Sequence, residues 1–459
     1  MISASVHAEV AISTVPVLNA GNTADSRVMN DGTTGYGQVN YSYSIGKYEV
    51  TAGQYAAFLN AVAATDTYGL YNTAMSTDTA GCQIIRSGSS GAYTYSVASD
   101  YANRPVNYVS WGDAARFSNW LSNGQPIGTQ TTGTTEAGSY TLSGATSSTA
   151  LMSVTRSASA TWVITSENEW YKAAFYSPTS SSYYTYATSS NTLPSNDIVS
   201  PDPGNNANYE ASATDSTLGA PYYRTAVGDF QNSTSPYGTF DQNGNVWEWN
   251  ESTYLGLFRE LRGGGIGSYA DTLAASFRYI DQPNYEANSI GFRVASTVVF
   301  LPGDFNNDQL VNAADIDLLF AATQGSVPPA LTKFDVTGDG TVNATPNASG
   351  SDADYWVHQL KSTEYGDANL DGKVNFSDLL VLASNYGAAS GAGWAAGDFN
   401  GDTAVNFSDL LVLASSYGYE NSPTGTLASD WALARTLVPE PALAFPLALA
   451  GLTLRLRRS

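Results

Sequence analysis

Short runs of apolar residues at helical spacing alternate with polar, glycine-rich stretches between residues 21 and 298. Trp111, Ala114 and Phe117 mark one such run, and Trp170 begins another. Short amphipathic runs separated by turn-forming residues are typical of α+β folds with many loops. We therefore expect the aromatic side chains of these runs to lie in the core of one large domain.

A different pattern occupies residues 299–420, where an apolar helical segment is duplicated. The sequence Val374–Ser384 is repeated without change at Val405–Ser415. Within each copy the leucines are spaced to form one face of a helix. Ser377 and its counterpart Ser408 are placed to cap the helix start. An identity of this length indicates a duplicated structural unit.

Acidic and amide side chains alternate in the loop before each copy. Such spacing directs side-chain oxygens inward at alternate positions, with a backbone carbonyl at the seventh position, as Ca²⁺ requires. Four loops follow this pattern: loop 1 (304–315), loop 2 (335–352), loop 3 (367–378) and loop 4 (398–409). The predicted ligands are Asp304, Asn306, Asp308, Leu310 and Asp315 in loop 1, Asp367, Asn369, Asp371, Lys373 and Asp378 in loop 3, and Asp398, Asn400, Asp402, Ala404 and Asp409 in loop 4, where Leu310, Lys373 and Ala404 would each contribute the carbonyl.

The loops depart in three ways from the usual calcium-loop pattern. They end in Asp where many such loops end in a bidentate Glu, and Thr403 replaces the turn glycine of loop 4. These changes are expected to weaken or reshape a site without abolishing it. Loop 2 carries an insertion from Thr345 to Ser351 before Asp352, so we expect it to bind poorly or not at all. The alternative for every loop is a solvated acidic turn without metal.

The loop-helix units resemble dockerin modules, which pair two such units. This resemblance implies small all-α, EF-hand-like repeats with Ca²⁺ as the cofactor. In dockerins the two residues before the last ligand help to select a cohesin partner. The matching residues are Phe376-Ser377 and Phe407-Ser408, and Phe departs from the usual small hydroxyl residue. A cohesin-like partner therefore stays one open hypothesis.

Six short motifs follow one another between residues 40 and 296. They are Gly46–Thr51, Arg104–Trp111, Ile164–Trp170, Gly244–Trp249, Arg262–Gly264 and Gly291–Arg293. In this order they resemble the sulfatase-modifying-factor family. The resemblance implies a C-type-lectin-like fold and, in the formylglycine-generating enzymes of the family, an oxidative activity.

The same resemblance implies a structural Ca²⁺ at the fourth motif. Its matching ligands are the side chains of Asp241 and Glu248 and the carbonyls of Gly244 and Val246. An all-oxygen ligand set suits a hard cation. A salt bridge or a capping role for Glu248 is the alternative.

Catalysis is where the resemblance fails. The enzymes of the family use a copper-binding cysteine pair between the last two motifs, whereas Cys82 is the only cysteine of this chain. His7 and His358 are the only histidines, and their positions exclude a histidine metal site or a Ser-His-Asp triad within the large domain. We predict no catalytic residue and interpret Glu167 and Glu169 as charges at a helix start.

Charge and the chain ends indicate where the protein acts. Forty-one acidic and 19 basic residues give a net charge of −22, which argues against nucleic acid as a partner. At the C-terminus, Val438–Pro441, an apolar stretch and terminal arginines resemble the PEP-CTERM sorting signal, which implies export to the cell envelope or matrix and membrane contact through a hydrophobic helix before processing. The N-terminus shows only the remnant of a leader, and we expect the true start to lie upstream.

The predicted organisation is an N-terminal tail (1–20), a sulfatase-modifying-factor-like domain (21–298), two dockerin-like repeat pairs (299–362 and 363–420), a linker (421–437) and a sorting segment (438–459). Our leading hypothesis is an exported calcium-binding protein whose large domain binds a polysaccharide or cell-surface ligand without catalysis. The alternatives are a family enzyme with an unrecognised site and a dockerin-type component of a polysaccharide-processing assembly.

Overall fold

The computed structural model describes residues 9–299, 301–306, 308, 310–323, 333–339, 341–346, 348–419 and 427–437. Contacts within the chain define two compact units, Met1–Phe300 and Leu301–Ser459. The sorting segment at 438–459 and His7 lie outside the described residues.

Strands of the first unit form two four-stranded sheets and three hairpins. The strands are β1 (Thr14–Val17), β2 (Tyr43–Gly46), β3 (Ile84–Ser87), β4 (Thr94–Val97), β5 (Trp162–Ile164), β6 (Tyr176–Ser177), β7 (Ser182–Tyr183), β8 (Glu210–Ser212), β9 (Asp215–Ser216), β10 (Trp247–Tyr254), β11 (Phe258–Arg262), β12 (Tyr279–Asp281), β13 (Ile290–Phe292) and β14 (Val294–Ser296). One sheet has the order β1-β2-β14-β5 and is antiparallel, and the other has the order β12-β11-β10-β13, in which β10 and β13 are parallel. The hairpins are β3-β4, β6-β7 and β8-β9.

Three longer helices of this unit begin with reciprocal capping boxes, formed by Thr51 with Gln54, Ser110 with Asp113 and Ser166 with Glu169. Each box satisfies backbone N–H groups that a helix start leaves without partners. The helices are α1 (Ala52–Val62), α2 (Ala74–Thr77), α3 (Ser99–Ala102), α4 (Trp111–Ser122), α5 (Ser148–Met152) and α6 (Glu167–Phe175). The mixed helix and strand content confirms the α+β prediction.

Aromatic side chains fill the core of this unit. Trp111, Phe117 and Trp170 are fully buried, which confirms their predicted core positions. The Phe117 ring lies edge-on to Phe58 at 5.3 Å and to Phe292 at 5.4 Å between ring centroids. Edge-to-face pairs of this kind add to the stabilisation from burial.

Ion pairs connect the start of helix α6 to strand β11 and to two segments outside the strands. Glu167 pairs with Arg262 and Arg278, and Glu169 lies 2.8 Å from Arg156. Both acids lie in the first turn of α6, as the sequence predicted. Removing one partner from such a pair leaves a buried charge, which is strongly destabilising.

The second unit is built from helices that follow the acidic loops. Trp356, Trp394 and Phe399 are buried at its centre. Its helices are α7 (Ala313–Thr323), α8 (Asp352–Tyr355), which continues as a π-helical turn (Trp356–Leu360), α9 (Phe376–Asn385), α10 (Phe407–Ser416) and α11 (Leu427–Leu437), with a short 3₁₀ turn at Trp394–Ala396.

Two local predictions for this unit were wrong. The caps of α9 and α10 are Asn375 and Asn406, whose side chains accept from the backbone N–H of Ser377 and Ser408. The asparagine lies outside the helix, where its short amide can reach back to the first turn. Residues 427–437, predicted as linker, form α11 because Leu427, Trp431 and Ala434 recur at helical spacing and pack against the core.

No helix within the part of the chain that the structure describes has both the length and the apolar character needed to cross a lipid bilayer.

We expect Gly291→Ala to lower the free energy of unfolding of the first unit by about 1–3 kcal/mol, because overpacking forces neighbouring groups to shift. A Cβ at Gly291 would lie 2.6 Å from the Val106 carbonyl oxygen and 2.8 Å from a Val246 methyl. Denaturant titration followed by tryptophan fluorescence measures the loss. The control is Gly219→Ala, where a Cβ meets nothing within 4 Å; equal effects of the two substitutions would contradict the prediction.

Candidate calcium sites

Three carboxylates converge in loop 4. Oxygen atoms of Asp398, Asp402 and Asp409 all lie within 4.8 Å of one another. Asp398 and Asp409 are buried, and Asp402 is exposed. Among the described residues this is the one group of three or more His, Cys, Asp or Glu side chains that meets this distance. Three hard oxygen donors on one short loop match the chemistry of Ca²⁺.

Backbone N–H groups hold these carboxylates in place. Asp398 accepts from the N–H groups of Gly401 at 2.8 Å and Thr403 at 2.7 Å. Asp409 accepts from Phe399 at 3.0 Å and from Asn406 at 2.9 Å. The last aspartate therefore ties the start of the loop to the start of α10.

Acidic side chains crowd one another in the loops. The pKa of Asp398 is raised to about 6, chiefly by burial and in part by the neighbouring Asp409 and Asp402 carboxylates. Burial likewise raises the pKa of Asp378 to about 6, with a further contribution from Asp367. A divalent cation bound among these groups would favour their charged forms, so protons and Ca²⁺ compete for the same oxygens.

Loops 1 and 3 hold their closing aspartates in the same way. Asp378 accepts from Ala368 at 3.0 Å and Asn375 at 2.9 Å. Asp315 accepts from the N–H of Phe305 at 2.8 Å, at the start of loop 1, and from Asn312 at 2.9 Å.

The residues at the seventh positions of the loops do not have buried side chains. Leu310 and Lys373 are exposed and Ala404 is half-buried. Asn369 and Asn400 accept from the N–H groups of Asp371 and Asp402, and Asn306 accepts from Asp308. The amides thus shape the turns that bring the carboxylates together.

Loop 2 closes despite its insertion. Asp352 accepts from the N–H groups of Thr337 at 3.1 Å and Asn343 at 2.7 Å. Thr337 is the third residue of loop 2 and corresponds to Asn306 of loop 1, whose N–H donates to Asp315. The inserted residues therefore do not prevent Asp352 from closing the loop.

The turn of loop 4 carries backbone strain. Thr403 has φ 66°, and Gly372 occupies the same position of loop 3 with φ 83°. The left-handed conformation costs a residue with a Cβ roughly 1–2 kcal/mol. The missing glycine, noted from the sequence, therefore has a direct structural cost.

The first unit contains a different cluster of acids. Glu248 is fully engaged, because Arg293 donates to both of its oxygens at 3.0 and 2.9 Å and the Trp170 indole donates at 2.8 Å. The salt bridge held open as the alternative for Glu248 is thus present. Asp241 accepts from the N–H of Gly228 at 2.6 Å.

Glu49 lies near these acids and was missed by the sequence analysis. Its side chain is buried, and neither carboxylate oxygen has a hydrogen-bond partner. Burial raises its pKa well above the ordinary value, and Asp241 raises it further. Burial also raises the pKa of Asp241 to about 7. A buried acid without partners beside other acids fits a cation, with Glu49 rather than Glu248 as the available carboxylate.

Three other features bear on whether the protein is an enzyme: a cysteine, a cavity and a histidine. Cys82 is buried, and burial raises its pKa, so it is a poor nucleophile. A cavity of about 250 Å³ beside β10 is lined by Trp111, Tyr140, Arg156 and Glu251, among others. His358 belongs to the second unit, where it contacts Asp354 and Glu364.

Residues 12–298 match the sulfatase-modifying factor enzyme 1-like domain. The chain belongs to this family. Residues 302–346 and 365–417 match the dockerin type I domain, a domain that binds calcium and cohesin partners in general.

Several solved structures are similar to this sulfatase-modifying-factor protein. CarF is 19% identical and covers 62% of this chain and 98% of its own, with a TM-score of 0.39. Variable protein 1 of Treponema denticola is 17% identical, with coverages of 64% and 97% and a TM-score of 0.37. PvdO from Pseudomonas aeruginosa is 16% identical, with coverages of 62% and 91% and a TM-score of 0.33. No curated protein matches the chain.

Reciprocal substitutions at the strained turn should change calcium affinity in opposite directions. Thr403→Gly is expected to tighten binding at loop 4 by about threefold to tenfold, because strain is relieved and loop order is coupled to binding. Gly372→Thr is expected to weaken loop 3 by a similar factor. Calorimetric Ca²⁺ titration of the full chain measures both, and changes of the same sign would refute the role of the turn.

Glu49→Gln separates a cation site from a buried acid that is simply protonated. With a cation present, the substitution should reduce the rise in the melting temperature of the first unit on adding Ca²⁺, at about 2–4 °C per kcal/mol of lost binding. The control is Glu286→Gln, which neutralises another acid whose pKa burial raises to about 8. If Glu49→Gln changes the melting temperature, relative to wild type, by the same amount in Ca²⁺ and in EDTA, the site is excluded.

Proposed function

We propose that this protein is an exported, dockerin-bearing component whose sulfatase-modifying-factor domain binds a ligand and whose calcium-loaded repeats dock to a cohesin-type protein. The convergence of Asp398, Asp402 and Asp409 supports the calcium-dependent part most directly. Dockerin domains usually occur in extracellular or cell-surface proteins, which supports export together with the PEP-CTERM-like end of the sequence.

Calcium dependence would arise from residues that act in both loop and helix. Asp378 and Asp409 are the closing acids of their loops and also the third helical residues of the capping boxes of α9 and α10. Bound Ca²⁺ would balance the negative charge of these carboxylates. The carboxylates, once fixed, hold the helix starts by hydrogen bonds to Asn375 and Asn406. Loop order and helix order are therefore coupled.

The sulfatase-modifying-factor domain is proposed to have a C-type-lectin-like fold and to serve as a binding module. Its family enzymes require a thiol pair, and this chain supplies one buried thiol. The cavity beside β10 offers aromatic rings together with an ion pair, in which Arg156 lies 2.8 Å from Glu251. Walls that combine aromatic rings with hydroxyl and charged side chains suit a small polar ligand, and a saccharide unit of a cell-surface polysaccharide is our candidate.

The test is capture of the full chain by an immobilised type I cohesin domain. We expect retention in millimolar Ca²⁺ and release in EDTA, because the helix starts lose order when the loop acids repel one another. An Asp409→Ala chain should be retained less than wild type, whereas Asp197→Ala, a change at an exposed aspartate of the first unit, should not. Retention that EDTA leaves unchanged would refute the proposal, and oxygen uptake with a cysteine-containing peptide and copper would favour the enzymatic alternative.

A further inference from the structure

Helices α9 and α10 have identical sequences at corresponding positions but different exposures. Each presents an apolar stripe at positions i, i+4 and i+7. In α10, Phe407 is 51% exposed and Leu411 is 48% exposed, whereas the equivalent Phe376 and Leu380 of α9 are half-buried. We define the α9 stripe as Phe376, Leu380 and Ala383, and the α10 stripe as Phe407, Leu411 and Ala414.

The third member of each stripe shows the same difference. Ala383 is fully buried, and Ala414 is half-buried. All three positions are therefore more covered in α9 than in α10. Because the two segments have the same sequence, the difference must come from what packs on them.

Helix α11 packs against α9. The Trp431 ring lies 5.6 Å from the ring of Tyr386, the residue that ends α9. Asp430 of α11 also accepts from the hydroxyl of Tyr417, at the end of α10, at 2.7 Å. Leu427, Trp431 and Ala434 form an apolar stripe of their own, and all three belong to the apolar cluster that contains residues of both α9 and α10. A stripe with this spacing is how an amphipathic helix fills an apolar surface.

We infer that α11 occupies one of two equivalent docking faces within its own chain and leaves the α10 stripe as the single face for a partner. This inference rests on the proposed docking function and states its regulation. Two equivalent faces would allow a partner to bind in two orientations. With the α9 stripe covered, the partner binds once and in one orientation.

The α10 stripe also defines the chemistry of that partner. Helix α11, which packs against the twin helix α9, carries leucine, tryptophan and alanine on its apolar stripe, so we expect the partner to present an apolar surface with a large side chain. The segment 301–420 contains 16 acidic and 3 basic residues, so a second copy of the chain would be repelled. The structure therefore favours a cohesin-type protein whose contact surface is apolar at its centre and neutral or basic at its edge.

Thiol labelling tests whether α11 covers the α9 stripe, and it needs no partner protein. Leu380→Cys and Leu411→Cys place a thiol at equivalent positions, and Cys82 is buried and gives a slow background. We expect the thiol at position 411 to react with Ellman's reagent about tenfold faster, since reactivity follows exposure. Adding Trp431→Ala should accelerate labelling at position 380, whereas Leu433→Ala, at a position 49% exposed on α11, should not. Equal rates in the two parent variants would overturn the inference.

Binding to a recombinant type I cohesin domain tests the regulation. Leu411→Lys should weaken binding at least about tenfold, since a charge replaces an apolar contact, and Leu380→Lys should change it little. Adding Trp431→Ala to Leu411→Lys should restore binding through α9. Failure to restore binding, or a dimer in light scattering that Leu411→Lys dissociates, would overturn the assignment. If wild type binds no cohesin but position 411 is still labelled faster than position 380, the docking function is refuted while the covering of the α9 stripe by α11 is supported.

Discussion

The structure of the second unit depends on one recurring contact, in which the last aspartate of a loop accepts backbone N–H groups from both ends of that loop. Asp315, Asp352, Asp378 and Asp409 all make this contact. Each carboxylate ties the two ends of its loop together next to the following helix, and in loop 4 it lies close to two other acids. Like charges gathered this way repel, and a bound cation would compensate for that repulsion. The acidic surplus of the second unit thus follows from the construction of its loops.

Local patterns in the sequence were sufficient for much of the fold. The buried faces around Trp111 and Trp170 could be predicted because helical periodicity depends only on near neighbours. The loops could be predicted because their ligands are close in sequence. Sheet order could not be predicted, since it depends on contacts such as β2 with β14 that join distant segments.

The missed site residues have the same explanation. Glu49 meets Asp241 only in the folded chain, and no spacing rule joins the two. Glu248 was predicted as a ligand from its motif, but its carboxylate pairs with Arg293, which lies on another segment. Asp352 was set aside because of its distance along the chain, although it accepts backbone N–H groups of loop 2 as the closing aspartates of the other loops do. Helix α11 was missed although its apolar residues recur at helical spacing, because the turn-forming residues that precede it suggested a linker.

The inserted residues of loop 2 show that the length of a loop can change while the positions of its ends stay fixed. Ser351 donates its hydroxyl to the Thr345 carbonyl at 2.8 Å, and the Asp352 N–H donates to Asn343 at 2.8 Å. The entry and exit of the inserted residues are thereby fixed next to each other, and added length between fixed ends has a small entropic cost. This point of the chain can accept a foreign peptide, such as an epitope or a fluorescent reporter, while the surrounding helices keep their packing.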